Sequence, residues 1–155
     1  MAKEIDMRRW RGLVLALGLT VGAAAQAADG EAVFAQRLDT MKALGKPFYL
    51  GLGRVAKGST PLGPDTVTAA DTVASLAAKI EPGLFAPGSI VGASHMKPAI
   101  FDDPARVAAL TEQVRAAVAK LPAAAKSGDQ AVLAAAYAAA NQACVACHKD
   151  FRIDE

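Results

Sequence analysis

Apolar positions recur at helical spacing in four stretches of this chain. In the first, from about Gly30 to Lys57, Val33, Arg37, Met41, Leu44, Phe48, Leu52 and Val55 fall at steps of three and four, the period of one helix face. Pro47 lies inside that stripe and is expected to bend or loosen the helix near Ala43–Lys46, because proline removes a backbone donor. Gly45, Gly51 and Gly53 weaken it further, and Gly58 is placed to stop it. After a loop over Ser59–Pro64, a second helix is predicted from about Asp65 to Ile80, with Val67, Ala70, Val73, Leu76 and Ala77 or Ile80 inward and Pro82-Gly83 ending it. A third starts near Asp103, an N-cap followed by Pro104. Its stripe is Val107, Leu110, Val114, Val118 and Leu121; at Pro122 it bends or ends, and Lys126-Ser127-Gly128 makes the turn. Asp129 caps a fourth helix reaching about Arg152, on which Leu133, Tyr137, Ala140, Cys144 and Cys147 share one face. Four helices of similar length predict an all-α, antiparallel four-helix bundle. Its one long crossover, Glu81–Asp102, is rich in Pro and Gly and carries Phe85, His95, Met96 and Phe101.

Composition agrees. The chain is rich in alanine and poor in aromatic residues, which favours helices. Its 155 residues make one domain after processing. The N-terminus reads as a cleaved signal peptide over residues 1–27. Arg8, Arg9 and Arg11 form a positive start, Leu13–Val21 a short apolar core, and Ala25-Gln26-Ala27 an A-x-A cleavage site. The apolar core is too short for a comfortable membrane span. Residues 28–155 are then the bundle domain, and export predicts a periplasmic location if the source is Gram-negative. Four of the seventeen Lys and Arg and two of the fifteen acids lie in the leader, leaving thirteen of each. A near-neutral mature chain argues against nucleic-acid binding driven by a basic surface.

The chemistry concentrates at Cys144-Val145-Ala146-Cys147-His148, which holds both cysteines and one of the two histidines. C-x-x-C-H is the pattern of c-type haem attachment. Two thiols on one helical turn can each add to a haem vinyl group, and the next imidazole can then serve as axial iron ligand. Three alternatives compete. A dithiol redox motif usually sits beside a βαβ pattern, and none is visible. A structural zinc site needs about four ligands, for which only His95 could join these three. A structural disulfide fits an oxidising compartment. The shared face of Cys144, Cys147 and the core residues places the haem between the fourth helix and its neighbours.

A leader, four helical stretches and C-x-x-C-H in the last of them resemble the class II c-type cytochromes, the family of cytochrome c′ and the cytochrome c556 type. Arg37-x-x-x-Met41, Ala56-Lys57-Gly58, Leu84-Phe85-x-Pro87-Gly88-Ser89, Lys97-Pro98-x-Ile100-Phe101 and Cys144-x-x-Cys147-His148-x-x-x-Arg152 carry the likeness across the mature chain. Phe101 departs from it, since the family often has Trp there, and so does Pro47. The resemblance implies one covalently attached haem c, with Cys144 and Cys147 as thioether anchors and His148 as proximal ligand. It also implies that Arg37 meets a haem propionate, that His95 stands at the haem edge, and that Arg152 lies beside the proximal imidazole. Met41 occupies the distal position. As a ligand it gives a low-spin electron carrier working through Fe(III)/Fe(II) with redox partner proteins, the reading placed first. As packing it leaves five-coordinate iron that binds NO or CO, the alternative. Met96 and His95 are weaker axial candidates. A peroxidase-like enzyme ranks last, because the first helix offers no His near Met41. Family members often dimerise through the first two helices, and monomers also occur.

Overall fold

The computed structural model describes residues 19–153, with side chains described from residue 29 onward. The charged start of the leader, Arg8, Arg9 and Arg11, lies outside the described residues. Helix α1 (Leu19–Gly45) runs into a π-helical segment (Lys46–Leu52), and α2 (Gly53–Ala56) completes the first long rod. Helix α3 (Pro64–Ala77) is the second. Helices α4 (Pro104–Val118) and α5 (Leu121–Lys126) form the third, and α6 (Gln130–Phe151) is the fourth. The result is the expected four-helix bundle.

Local chemistry sets most of the helix ends. Asp103 accepts the Arg106 N–H at 2.8 Å, and Asp129 accepts the Ala131 and Val132 N–H groups at 2.8 and 3.3 Å. Both are N-caps that satisfy donors the helix itself cannot. Gly58 and Gly128 take the positive φ that ends a helix without a Cβ clash. The third rod breaks at Ala119–Lys120, just before Leu121-Pro122, so Pro122 opens α5 instead of bending α4.

Two findings differ from the sequence expectations. Within the described residues helix α1 is already formed before Gly30, from Leu19 onward. The run Gly22–Ala28 is almost all alanine and contains no stop signal. The loosening around Pro47 begins at Lys46, the end of the expected Ala43–Lys46 range, and extends to Leu52, further along the chain than expected. The wide turns let Phe48 and Leu52 both reach the core, while the neighbouring Tyr49 faces a cavity. A π-segment inside an α-helix commonly marks a functional site.

The core has two parts. The larger joins Phe48, Leu52, Val55, Val73, Leu121 and Leu133 with smaller side chains from α3 and α5. The smaller joins Met96, Ile100, Val107, Leu110 and Phe151 under the crossover. Cys144 packs against the first and Cys147 against the second, so the motif stands at the seam between them. The crossover is built into the fold. It contains 3₁₀ turns at Pro82–Phe85 and Pro98–Phe101. It also pairs with the end of α6, where Lys97 N–H donates to Phe151 O at 2.8 Å and Ile153 N–H to His95 O at 2.7 Å.

The π-segment lies close against α3. A Cβ at Gly51 would stand 2.8 Å from Ala69 Cβ, whereas one at Gly83 would meet nothing within 4 Å. Because neither Cβ can rotate away, Gly51→Ala is expected to cost about 1–3 kcal/mol. Gly83→Ala should stay within about 0.5 kcal/mol. Denaturant unfolding of the two variants checks the contrast; equal stabilities would show that the close packing of the π-segment on α3 is not limiting.

Candidate functional site

Helix α6 brings Cys144, Cys147 and His148 onto one face because three and four residues make about one turn. That face meets space instead of another helix. Of the 22 residues of α6 only Leu133, Ala140 and Phe151 are fully buried, while Cys144, Cys147 and His148 are half-buried and line a cavity. The cavity has a volume of about 400 Å³. Across it stands α1, presenting Phe34, Arg37, Leu38, Met41 and Leu44. The crossover closes a third side with Phe85, Ser94, His95 and Met96.

The titratable groups are tuned by burial. Both thiols are held above their ordinary range, Cys144 by burial and Cys147 by burial and then by Cys144 and Asp150. The two cysteines are free rather than bridged. A dithiol oxidoreductase needs a thiolate at lowered pKa, the opposite of what this site supplies. Burial, and then the Arg152 charge, lower the His148 pKa, which favours the neutral imidazole that can donate a lone pair to a metal. Arg152 ends α6 and its N–H donates to His148 O at 2.7 Å. Among the described residues no group of three or more His, Cys, Asp and Glu side chains is placed to hold a metal ion by itself, which counts against structural zinc.

Arg37 has a role that its spacing did not reveal. Its guanidinium is buried, with the residue 7% exposed. Nη1 donates to Leu84 O at 3.0 Å and Ser89 Oγ at 2.9 Å; Nη2 donates to Ser89 O at 2.6 Å and Ser94 Oγ at 3.4 Å. The ring of Phe34 lies 5.6 Å from the guanidinium carbon, within cation–π range. All these partners are neutral. Burial lowers the Arg37 pKa, but a guanidinium stays charged in proteins. The wall of the cavity therefore contains a buried cation whose charge is not matched by a carboxylate, a setting that favours an anionic group on the ligand.

The structure brings every proposed site residue to one cavity: Cys144, Cys147, His148, Arg37, Met41 and His95 all line it, as do Met96 and Arg152. The residues suit a haem: an apolar slot, two thiols and an imidazole on one wall, and a thioether opposite. Sequence reasoning missed Phe34, Tyr49, Ser94 and the acceptor role of Ser89. Ser94 gave no signal, since a lone loop hydroxyl has no period to detect, whereas Phe34 stands three, four and seven residues before Arg37, Leu38 and Met41 and was legible as part of their helical face. Tyr49 continues the α1 stripe of Leu38, Lys42 and Gly45 that lines the cavity, a stripe the sequence reading did not follow.

The family model described as Cytochrome C′ matches residues 31–152 of this chain. A cytochrome c′ from Rubrivivax gelatinosus is 38% identical over 106 residues, 64% of this chain and 81% of the relative. A cytochrome c-554 from Cereibacter sphaeroides is 37% identical over 105 residues, 65% of this chain and 68% of the relative. Among solved structures, the nitric oxide complex of a mutant cytochrome c prime from Alcaligenes xylosoxidans superposes with a TM-score of 0.72. That pair is 25% identical, covering 81% of this chain and 97% of the other.

Removing the Arg37 guanidinium leaves the carbonyls of Leu84 and Ser89 without their donors. Arg37→Ala is expected to destabilise the fold by about 3 kcal/mol and to speed amide exchange selectively over Leu84–Met96. Hydrogen exchange followed by mass spectrometry checks this. Unchanged protection of that segment would mean that other contacts hold the crossover.

Proposed function

Because this chain belongs to the cytochrome c′ family, whose members carry covalently attached haem c, we propose that it is an exported monohaem protein that binds a small neutral gas such as NO or CO. In this reading Cys144 and Cys147 would hold the haem through thioether bonds and His148 would ligate its iron. Arg37 supplies the positive charge for a propionate, and His95 stands at the haem edge. The observation that carries the reading is that all of these groups open on one cavity, to which α1 adds the apolar side chains Phe34, Leu38, Met41 and Leu44. When bound, the haem supplies an Fe(III)/Fe(II) couple and a sixth position for a ligand.

The chain's own residues do the rest. The three-residue step between the cysteines sets two tethers on one face of α6, so the cofactor cannot leave. The neutral His148 donates its lone pair. Phe34, Leu38 and Leu44 line the cavity together with Met41 and make that stretch of α1 apolar, which suits a small neutral ligand there. The lining residues from α1 include no His, Asp or Glu, so this wall offers no acid–base group for peroxidase-like work. The nitric oxide complex of the Alcaligenes xylosoxidans relative supports the same reading.

Met41 supports a second reading. It lines the same cavity, and as an iron ligand its thioether would raise the reduction potential and favour electron transfer. The protein is then an electron carrier rather than a gas binder. In neither reading does the protein make or break bonds of a substrate, and a leader over residues 1–27 takes it to the periplasm.

The visible spectrum of the reduced holoprotein with and without CO separates the two. A broad high-spin spectrum that CO changes is expected, and Met41→Leu should then leave it much the same. Sharp bands indifferent to CO, converted by Met41→Ala to a CO-sensitive high-spin form, would establish the electron-carrier reading instead. Intact-mass measurement of the exported protein should give a chain beginning at Ala28 plus one haem; a chain retaining residues 1–27 would contradict the leader.

A further inference from the structure

The last turn of α6 is held from outside the helix. Its final intrahelical bond runs from Arg152 N–H to His148 O at 2.7 Å, so the carbonyls after His148 have no donor from the helix itself. Two of them are taken by a single residue of the crossover. Lys97 Nζ donates to Lys149 O at 3.0 Å, and Lys97 N–H donates to Phe151 O at 2.8 Å.

Lys97 is itself fixed. It precedes Pro98, which favours the extended backbone it adopts, φ −73° and ψ 137°. Its carbonyl accepts the Ile100 N–H at 3.2 Å. Met96 and Ile100, on either side of it, are buried in one cluster with Phe151. Met96 also pairs with Arg152 in an antiparallel bridge. A few residues back, Ser94 Oγ accepts from Arg37 Nη2 of α1 at 3.4 Å. A line of contacts therefore runs from α1 through the crossover to the turn that follows His148.

A lysine near a helix C-terminus is often no more than a favourable charge on the dipole. That role needs no particular carbonyl, and Lys149 already fills it. It does not account for both donors of one crossover residue meeting the turn next to His148. Arg106, the other cation tied to this end of α6, reaches only the Asp150 side chain, at 2.9 Å.

Resting on the haem reading above, we infer that Lys97 is a positioning residue for the iron ligand: by capping the turn after His148 it fixes the end of α6 and with it the plane of the His148 imidazole. Groups that do not touch a metal commonly orient the ligands that do. Lys97 makes and breaks no bond of its own; it limits how far the backbone under His148 can turn.

The test uses the ferric holoprotein. Lys97→Met removes the ammonium, keeps most of the stem and leaves the backbone bond to Phe151 in place. Lys97→Arg restores a charged donor, and Arg106→Met cuts the other tie to this helix end. Proton NMR reads the haem methyl shifts, which follow the direction of the axial imidazole plane, and hydrogen exchange reads the opening of the last turn. Lys97→Met should change the order or spacing of the methyl signals and speed exchange of the Arg152 N–H about tenfold. Lys97→Arg and Arg106→Met should both keep the parent methyl pattern. An unchanged pattern in Lys97→Met, whatever its exchange rate, would reduce Lys97 to a structural cap. A change shared equally by Arg106→Met would trace it to general loosening. Either result overturns the positioning role and leaves the haem assignment intact, whereas failure of the exported protein to acquire haem would overturn both.

Discussion

The open side of this bundle depends on one buried guanidinium. Arg37 projects from α1 into the crossover and donates to two carbonyls and two hydroxyls there. A buried cation is costly unless its donors are satisfied, and hydrogen bonds from a charged donor are about twice as strong as neutral ones. The crossover is therefore held by the helix it spans, although it contains little regular structure of its own. Because Arg37 and Met41 are one turn apart, the same clasp sets the rotation of α1 and aims Met41 into the cavity.

The π-segment is the complementary constraint at the other end of that helix. Pro47 cannot donate a backbone hydrogen bond, and a straight α-helix would carry the defect unresolved. Widening the turns over Lys46–Leu52 accommodates it and changes the helix phase. Phe48 stacks on Tyr137, 4.8 Å between ring centres, and Leu52 is sealed in the core. Tyr49 stands edge-on to Phe48 and turns towards the cavity mouth. The lower half of the rod thus serves the core, while the upper half serves the site.

Between these two fixed points the chemistry is conservative. Burial raises the pKa of both thiols and lowers that of the imidazole, the opposite of what a thiolate nucleophile needs. They suit anchoring and ligation. The buried charge of Arg37 and the exposed charges of Lys42 and Arg152 act at different ranges. The first acts within the wall over hydrogen-bond distances. The others act across solvent over about a Debye length, roughly 8–10 Å at moderate salt.

The four rods, their caps at Asp103 and Asp129 and the C-x-x-C-H face were all determined by the sequence alone. Each is a local property: a period, a side chain bonding backbone two or three residues away, three residues on one turn. The effect of Pro47 was visible as a disturbance, but not its form, because the choice of π-helix over a kink follows from how Phe48 and Leu52 pack on α3 and α6. Arg37 could be singled out by its spacing from Met41, but its acceptors lie 47 to 57 residues along the chain, and no pattern in sequence records such a distance. The same holds for the charges of the cavity wall: overall charge is a sum over the chain, whereas a wall's charge depends on which residues folding brings together. Tertiary structure alone decided how the crossover is held and where the charges stand. These are long-range contacts, whose entropy of closure is met only when the whole core forms.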